Sequence, residues 1–301
     1  MIPMAMQGEV VALVPGKLHA LVNTFSLDGR VTAYAQDARG VAPANSYLFV
    51  EGDDALLVES GFSVHERSLL AQLDTVLDPS TRLALLPPRL GEFDGVSNTR
   101  PIVDHRRVDV LYGPMLNSTS WVDFRPEHRP AGSPVGDGRM AQVEFRMLGN
   151  PDVIELGRDR RLDVFHPPLR LLVTHWIYDA VTRTLFTSDA FTHMRRSDDR
   201  GPWVVDSTRD VISGEALRAH LLTTKFWWLR GARTEPIRRG LAAIFEDRDI
   251  EVLAPSFGCI LVGRAVVRQH YELLQAVLEE LARERPVVGL PEAGCPQVAD
   301  G

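Results

Sequence analysis

The spacing of apolar and polar positions divides the chain into a β-rich first two thirds and a helical last third. Residues 10–14, 46–50 and 55–58 are short runs rich in β-branched or aromatic side chains. Turn signals at Pro15-Gly16 and Gly52-Asp53-Asp54 bound them, so the opening reads as strand and hairpin. Residues 63–73 then take helical spacing, with Leu69, Leu70 and Leu73 on one face and Ser63 as the expected N-cap. The apolar run 83–86 completes a β-α-β unit. Further runs at 108–112, 141–147, 162–165, 171–178 and 184–187 predict a second sheet. Helices are expected over 214–230, 235–245 and 264–283, where Val267, Tyr271, Leu274, Leu278 and Leu281 recur at three and four and would cover a sheet face. Two β-rich halves, each followed by helices, suit an α/β fold: a sheet-on-sheet sandwich flanked by helices on both sides.

Two segments stand apart from this pattern. Residues 113–138 hold four prolines and four glycines around Trp121, Phe124 and His128, which reads as a long loop or lid. After Pro286 the Gly- and Pro-containing stretch 286–301 is expected to be a flexible tail, leaving a single domain over 1–285. The 301 residues are 45% hydrophobic and 24% charged, enough to bury a sizeable core. Lys plus Arg number 33 against 40 Asp plus Glu, a net charge of −7 with no basic block, which argues against nucleic acid as a partner. The apolar runs fall far short of the roughly 20 residues of a membrane span. The first 14 residues carry no Lys or Arg, as a secretory signal would, so a cytoplasmic location is expected. Cys259 and Cys295 are too few for a disulfide framework.

Three segments, Asn45-Ser46-Tyr47-Leu48, Val58-Glu59-Ser60-Gly61 and Leu185-Phe186-Thr187-Ser188-Asp189-Ala190-Phe191, fall in the order found in metallo-β-lactamase-fold proteins. Leu253-Ala254-Pro255-Ser256-Phe257-Gly258 is similar to the final Pro-Ser-His-Gly loop of flavodiiron proteins. The chain therefore resembles the diiron domain of that family over roughly residues 43–262. The resemblance implies a metallo-β-lactamase-like αββα sandwich. It also implies a dinuclear metal site built from a His-x-Glu-x-Asp-His run, a later His, a bridging Asp and a last His, because imidazole and carboxylate together suit iron or zinc.

At those positions this sequence departs. Glu92 and Asp94 stand where the family has carboxylates, but Leu90 and Gly95 replace histidines. Arg170, 19 positions before the retained bridging Asp189, falls on the third histidine, and Phe257 on the last. Three carboxylates without a cation must take up protons or gain a positive partner. One reading is a metal-free pocket of Glu92, Asp94, Arg170, Asp189 and Phe257, with Arg170 pairing Asp189 or Asp94, in a protein that binds a small-molecule ligand or a protein partner. The other is a divergent oxidoreductase or hydrolase. It would use a single divalent metal ion on Glu92, Asp94 and Asp189, helped by His166, His175 or His193, or Glu92, Asp94 and Arg170 as catalytic groups. His65, His220 and His270 read as packing or surface histidines, His175 as a satisfied sheet histidine, Trp227-Trp228 as core or contact residues and Cys259 as an inert buried thiol. The chain ends about 40 residues past the matched region, too short for the flavodoxin-like FMN domain of the family, so no flavin is expected. The family also forms head-to-tail dimers, which carries a homodimer as an expectation.

Overall fold

The computed structural model describes residues 8–89, 92–115, 122 and 138–284. Leu90, Gly91, the segment holding Trp121, Phe124 and His128, and the tail 286–301 lie outside the described residues. The first sheet runs in sequence order: β1 (Glu9–Val14), β2 (Leu18–Ser26), β3 (Val41–Glu51), β4 (Asp54–Val58), β5 (Arg82–Leu86), β6 (Val108–Gly113) and β7 (Glu144–Met147). It is antiparallel from β1 to β4 and parallel from β4 to β7. The change follows from the connections. Pro15-Gly16 and Gly52-Asp53 close tight hairpins, whereas α1 (Glu66–Val76) carries the chain from β4 back to the start of β5.

The second sheet has the order β12-β14-β13-β11-β10-β9-β8. Its strands are β8 (Asp152–Leu156), β9 (Arg160–Phe165), β10 (Trp176–Asp179), β11 (Thr184–Ser188), β12 (Val204–Val205), β13 (Val252–Pro255) and β14 (Ile260–Val262). The runs at 108–112 and 141–147, expected in this second sheet, instead extend the first one as β6 and β7, because both lie parallel to β5. The 171–178 run shortens to β10.

The period-2 pattern of the strands assigns their faces. In β4, Leu56 and Val58 point into the core between the sheets, while Ala55 and Leu57 point to the outer layer with Leu69 and Leu73 of α1 and Ile102 and Val103 of α3 (Thr99–His105). On the far side, α4 (Gly214–Leu222), α5 (Glu235–Asp247) and α6 (Arg264–Arg283) cover the second sheet through Leu217, Leu241, Leu274 and Leu278. The layers are therefore helix, sheet, sheet, helix, as the metallo-β-lactamase-like sandwich requires. Helix boundaries differ at the edges. The chain at Ser63 enters α1 through a 3₁₀ turn with no side-chain cap, and α4 stops at Leu222, the expected stretch to 230 closing with a 3₁₀ turn at Trp227–Leu229. Among the described residues no helix is long and apolar enough to cross a membrane.

A buried ion pair between the first residue of β9 and the last of β10 ties the sheets together. Arg160 donates through Nη2 to Asp179 Oδ2 at 2.5 Å and through Nη1 to the carbonyls of Lys17 and Val50 at 3.0 and 3.1 Å, with its guanidinium 5.0 Å from the Phe49 ring centre. Asp179 also accepts from Thr182 N, which fixes the β10–β11 turn. Removing one partner leaves a buried charge uncompensated. Asp179→Ala is therefore expected to destabilise the fold by about 3–5 kcal/mol, read from urea unfolding against the unmodified protein.

Candidate functional site

Four strand ends converge at one edge of the sandwich. Parallel β4 and β5 of the first sheet and parallel β11 and β13 of the second all finish there, the place where α/β sheets leave a crevice for ligands. Two residues that close these strands hold backbone conformations rarely adopted outside glycine: Glu59 after β4 at φ 68° and Ser188, last in β11, at φ 51°. Such strain persists only where surrounding contacts over-determine it. Those contacts are present. Glu59 N donates to Leu86 O, Ser188 O accepts from Ser256 N, and Asn45 Nδ2 and Tyr47 Oη both donate to Pro255 O, tying the last loop onto β3.

At the centre lies Arg89, in the turn after β5, with its side chain 2% exposed. Its Nε donates to Glu59 Oε1 at 2.9 Å. Its Nη1 reaches Glu92 Oε2 at 2.7 Å, Asp94 Oδ1 at 3.0 Å and Asp189 Oδ1 at 3.4 Å. Glu92 and Asp94 are brought in by the short α2 (Phe93–Val96), which Glu92 precedes and whose first turn holds Asp94. A second cation comes from the segment after α4: Lys225 Nζ donates to Glu92 Oε2 at 2.5 Å and to Asp189 Oδ1 at 3.0 Å. Each of those two carboxylate oxygens is thus shared by both cations. The structure brings Glu92, Asp94, Asp189 and Phe257 together and leaves Arg170 out. Arg170 is exposed and donates to Pro167 O at 2.6 Å, because the chain from 170 to 175 runs irregularly before β10 instead of continuing the strand.

The replaced positions accommodate this network. The Phe257 ring centre is 5.0 Å from the Arg89 guanidinium carbon and is buried against Phe25 and Phe62. At Gly95, a Cβ would come within 2.5 Å of Glu59 Oε2 and 3.4 Å of Arg89 Nη2. A histidine at 95 is incompatible with Glu59 and Arg89 where they stand.

Burial and charge pull against each other here. Burial would lower the Arg89 pKa, but the four carboxylates outweigh it and hold the group well above its ordinary value. Burial would likewise lower Lys225, and Asp189 and Glu92 raise it instead. Burial pushes the Glu59 carboxyl up against the opposing effect of Arg89 and Ser256, whose Oγ donates to Glu59 Oε1 at 2.7 Å. Glu92 is raised by burial and by Asp189.

Asp189 also lines a small cavity with Thr192, His193 and His220, with room for about one water molecule. Behind it His193 Nε2 and His270 Nδ1 share a 2.8 Å hydrogen bond. Burial depresses both rings, and His220 and His270 fall to about 4. His220 is bonded to Thr192 Oγ1 at 3.1 Å and His65 to Thr24 O at 3.1 Å, so these histidines serve packing. His175 is buried beside His166, its ring centre 4.9 Å away, and its ring nitrogens find no hydrogen-bond partner, unlike the satisfied histidine expected there. The Cys259 thiol is buried and pushed up to about 11, an inert state.

No family model and no curated protein matches the sequence. Solved structures do. A metal-soaked Flv1 flavodiiron core from Synechocystis sp. PCC6803 superposes with TM-score 0.66 at 17% identity, over 92% of this chain and 62% of that one. The fold is that of the flavodiiron core. Rubredoxin oxygen:oxidoreductase from Desulfovibrio gigas gives 0.60 at 14% identity over 91% and 61%. A 1–254 fragment of a diflavin flavoprotein from Nostoc sp. PCC 7120 gives 0.64 at 13% over 91% and 97%. The chain spans about three fifths of the length of the first two. Against the flavodiiron core the donor set here does not suit a dinuclear metal centre: the carboxylates are already bonded to Arg89 and Lys225. Among the described residues no group of three or more His, Cys, Asp or Glu side chains is arranged to hold a metal ion.

Arg89, Lys225 and Glu59 are the residues that sequence reasoning missed as site members. Arg89 stood directly before the 90–95 run, and Lys225 is one of only two lysines in the chain.

The titration shifts give opposite pH dependences. Glu59 holds its proton more tightly folded than at its ordinary 4.5, so its contribution to stability is full below pH 4.5 and is lost as pH rises through the folded value. The buried histidines, depressed below 6.5, contribute fully above pH 6.5 and lose it as pH falls towards about 4. Glu59→Gln is expected to shallow the first slope, which Glu92 shares, and to leave the second, in urea unfolding followed from pH 4.5 to neutrality. An unchanged loss of stability on raising the pH from 4.5 would show that Glu59 is not a source of it.

Proposed function

We propose that this protein is a metal-independent binding protein on a flavodiiron-core fold, its cleft engaging a small-molecule ligand or a protein partner in place of a metal pair. The observation that carries the reading is the Arg89 guanidinium, buried among four carboxylates at 2.7 to 3.4 Å. A fixed guanidinium is neither a Lewis acid nor an electron carrier. Side chains near the cleft support a contact role. Trp227, two residues after Lys225, is 69% exposed, and Leu172 and Val173, in the loop that leads to His175, are also exposed. His175 N in turn donates to Pro88 O, next to Arg89. A homodimer and a cytoplasmic location belong to the same proposal, the dimer being one way to cover these apolar side chains.

One observation favours a second reading, an enzyme using the same cleft. The Glu92 carboxyl, 16% exposed, is raised above its ordinary value by burial and by Asp189, the direction that suits a general acid. Glu92→Gln would abolish such an activity while sparing ligand binding.

Elemental analysis of protein purified without added metal or chelator tests the main reading. No stoichiometric iron, zinc or manganese is expected. Two tightly held transition metals per chain would sink it.

A further inference from the structure

We infer that Arg89 and Lys225 are the resident cations of the cleft, two unit charges standing among its carboxylates in place of metal ions, with Glu92 Oε2 and Asp189 Oδ1 as their shared bridging atoms. The inference rests on the metal-independent reading of the cleft and gives it a mechanism. Both oxygens accept from both cations, at 2.7 and 3.4 Å from Arg89 and at 2.5 and 3.0 Å from Lys225. Two positive centres joined by carboxylates offset part of the repulsion among the acidic side chains, and Glu59 and Glu92, both raised, carry the remainder. A surface salt bridge does not look like this. Arg89 is 2% exposed and Lys225 13%, and the two cations join four parts of the chain: the end of β4, the β5–α2 turn, the end of β11 and the segment after α4.

The two cations differ in how firmly they are held. Arg89 is locked from behind by Glu59 at 2.9 Å and covered by the Phe257 ring. Lys225, more exposed than Arg89, is held by Glu92 and Asp189. Carboxylate oxygens are hard donors of the class that magnesium, calcium or manganese takes, although with both cations in place they are not arranged to hold a metal ion. What occupies them is the side-chain pair. Remove a resident cation and the uncompensated acids should recruit an external one.

The test compares the unmodified protein with Arg89→Ala, Lys225→Met and the double variant, using Mn²⁺ as the probe. Thermal unfolding is measured with and without the ion and with NaCl at matched ionic strength, and bound Mn²⁺ is counted by electron paramagnetic resonance. The variants are expected to unfold earlier in metal-free buffer, to be rescued by Mn²⁺ and not by NaCl, and to bind it at least about tenfold more tightly than the unmodified protein. Should Arg89→Ala fail to fold, Lys225→Met alone carries the test, since its side chain lies nearer the cleft mouth. Variants as stable as the unmodified protein in metal-free buffer, or destabilised variants that Mn²⁺ does not rescue, would overturn the inference. Mn²⁺ binding of equal strength with both basic side chains present would do the same. Tight transition metal in the unmodified protein as purified would instead refute the metal-independent reading, so the two failures are separable.

Discussion

Everything at the functional edge of this molecule depends on how a buried arginine is kept charged. Taking a guanidinium out of water is costly, and only several carboxylates at hydrogen-bond distance repay it. Arg89 has four, drawn from the ends of β4 and β11 and from the residues around α2. The positive φ of Glu59, the bond from Ser256 to the same carboxylate and the aromatic cover from Phe257 all follow from holding that one group in place. The strand ends of both sheets are therefore coupled through a charge as well as through the apolar core that Val58, Leu86, Phe186 and Leu253 share.

The architecture was legible in the sequence because its signals are local and repeat. Short continuous apolar runs marked the strands near 55–58 and 83–86, the three-and-four spacing of Val267, Tyr271, Leu274, Leu278 and Leu281 marked α6, and turn signals marked the opening hairpins of the first sheet. Sheet membership was less legible. Nothing local in residues 108–112 distinguishes a strand added beside β5 from one that begins a new sheet.

The site was half legible. Glu92, Asp94 and Asp189 stand at motif positions and do converge, joined by Arg89. The cation was misplaced. Position counting put it at Arg170, and such counting assumes a continuous strand, whereas the backbone between 170 and 175 is irregular and turns Arg170 to solvent. Arg89 and Lys225 escaped notice because neither occupies a motif position. Their long-range pairings are a fact of three-dimensional distance: Asp189 lies 100 positions from Arg89, and Lys225 lies 36 and 133 positions from Asp189 and Glu92.

The close approach at Gly95 couples two positions well apart in the chain. A Cβ at 95 and the carboxylate of Glu59 compete for one small volume, with only 2.5 Å between them. A side chain placed at 95 therefore displaces that carboxylate from the bonds it accepts from Arg89 and Ser256. The size of residue 95 and the charge balance of the cleft are in this sense one design variable, to be changed together or not at all.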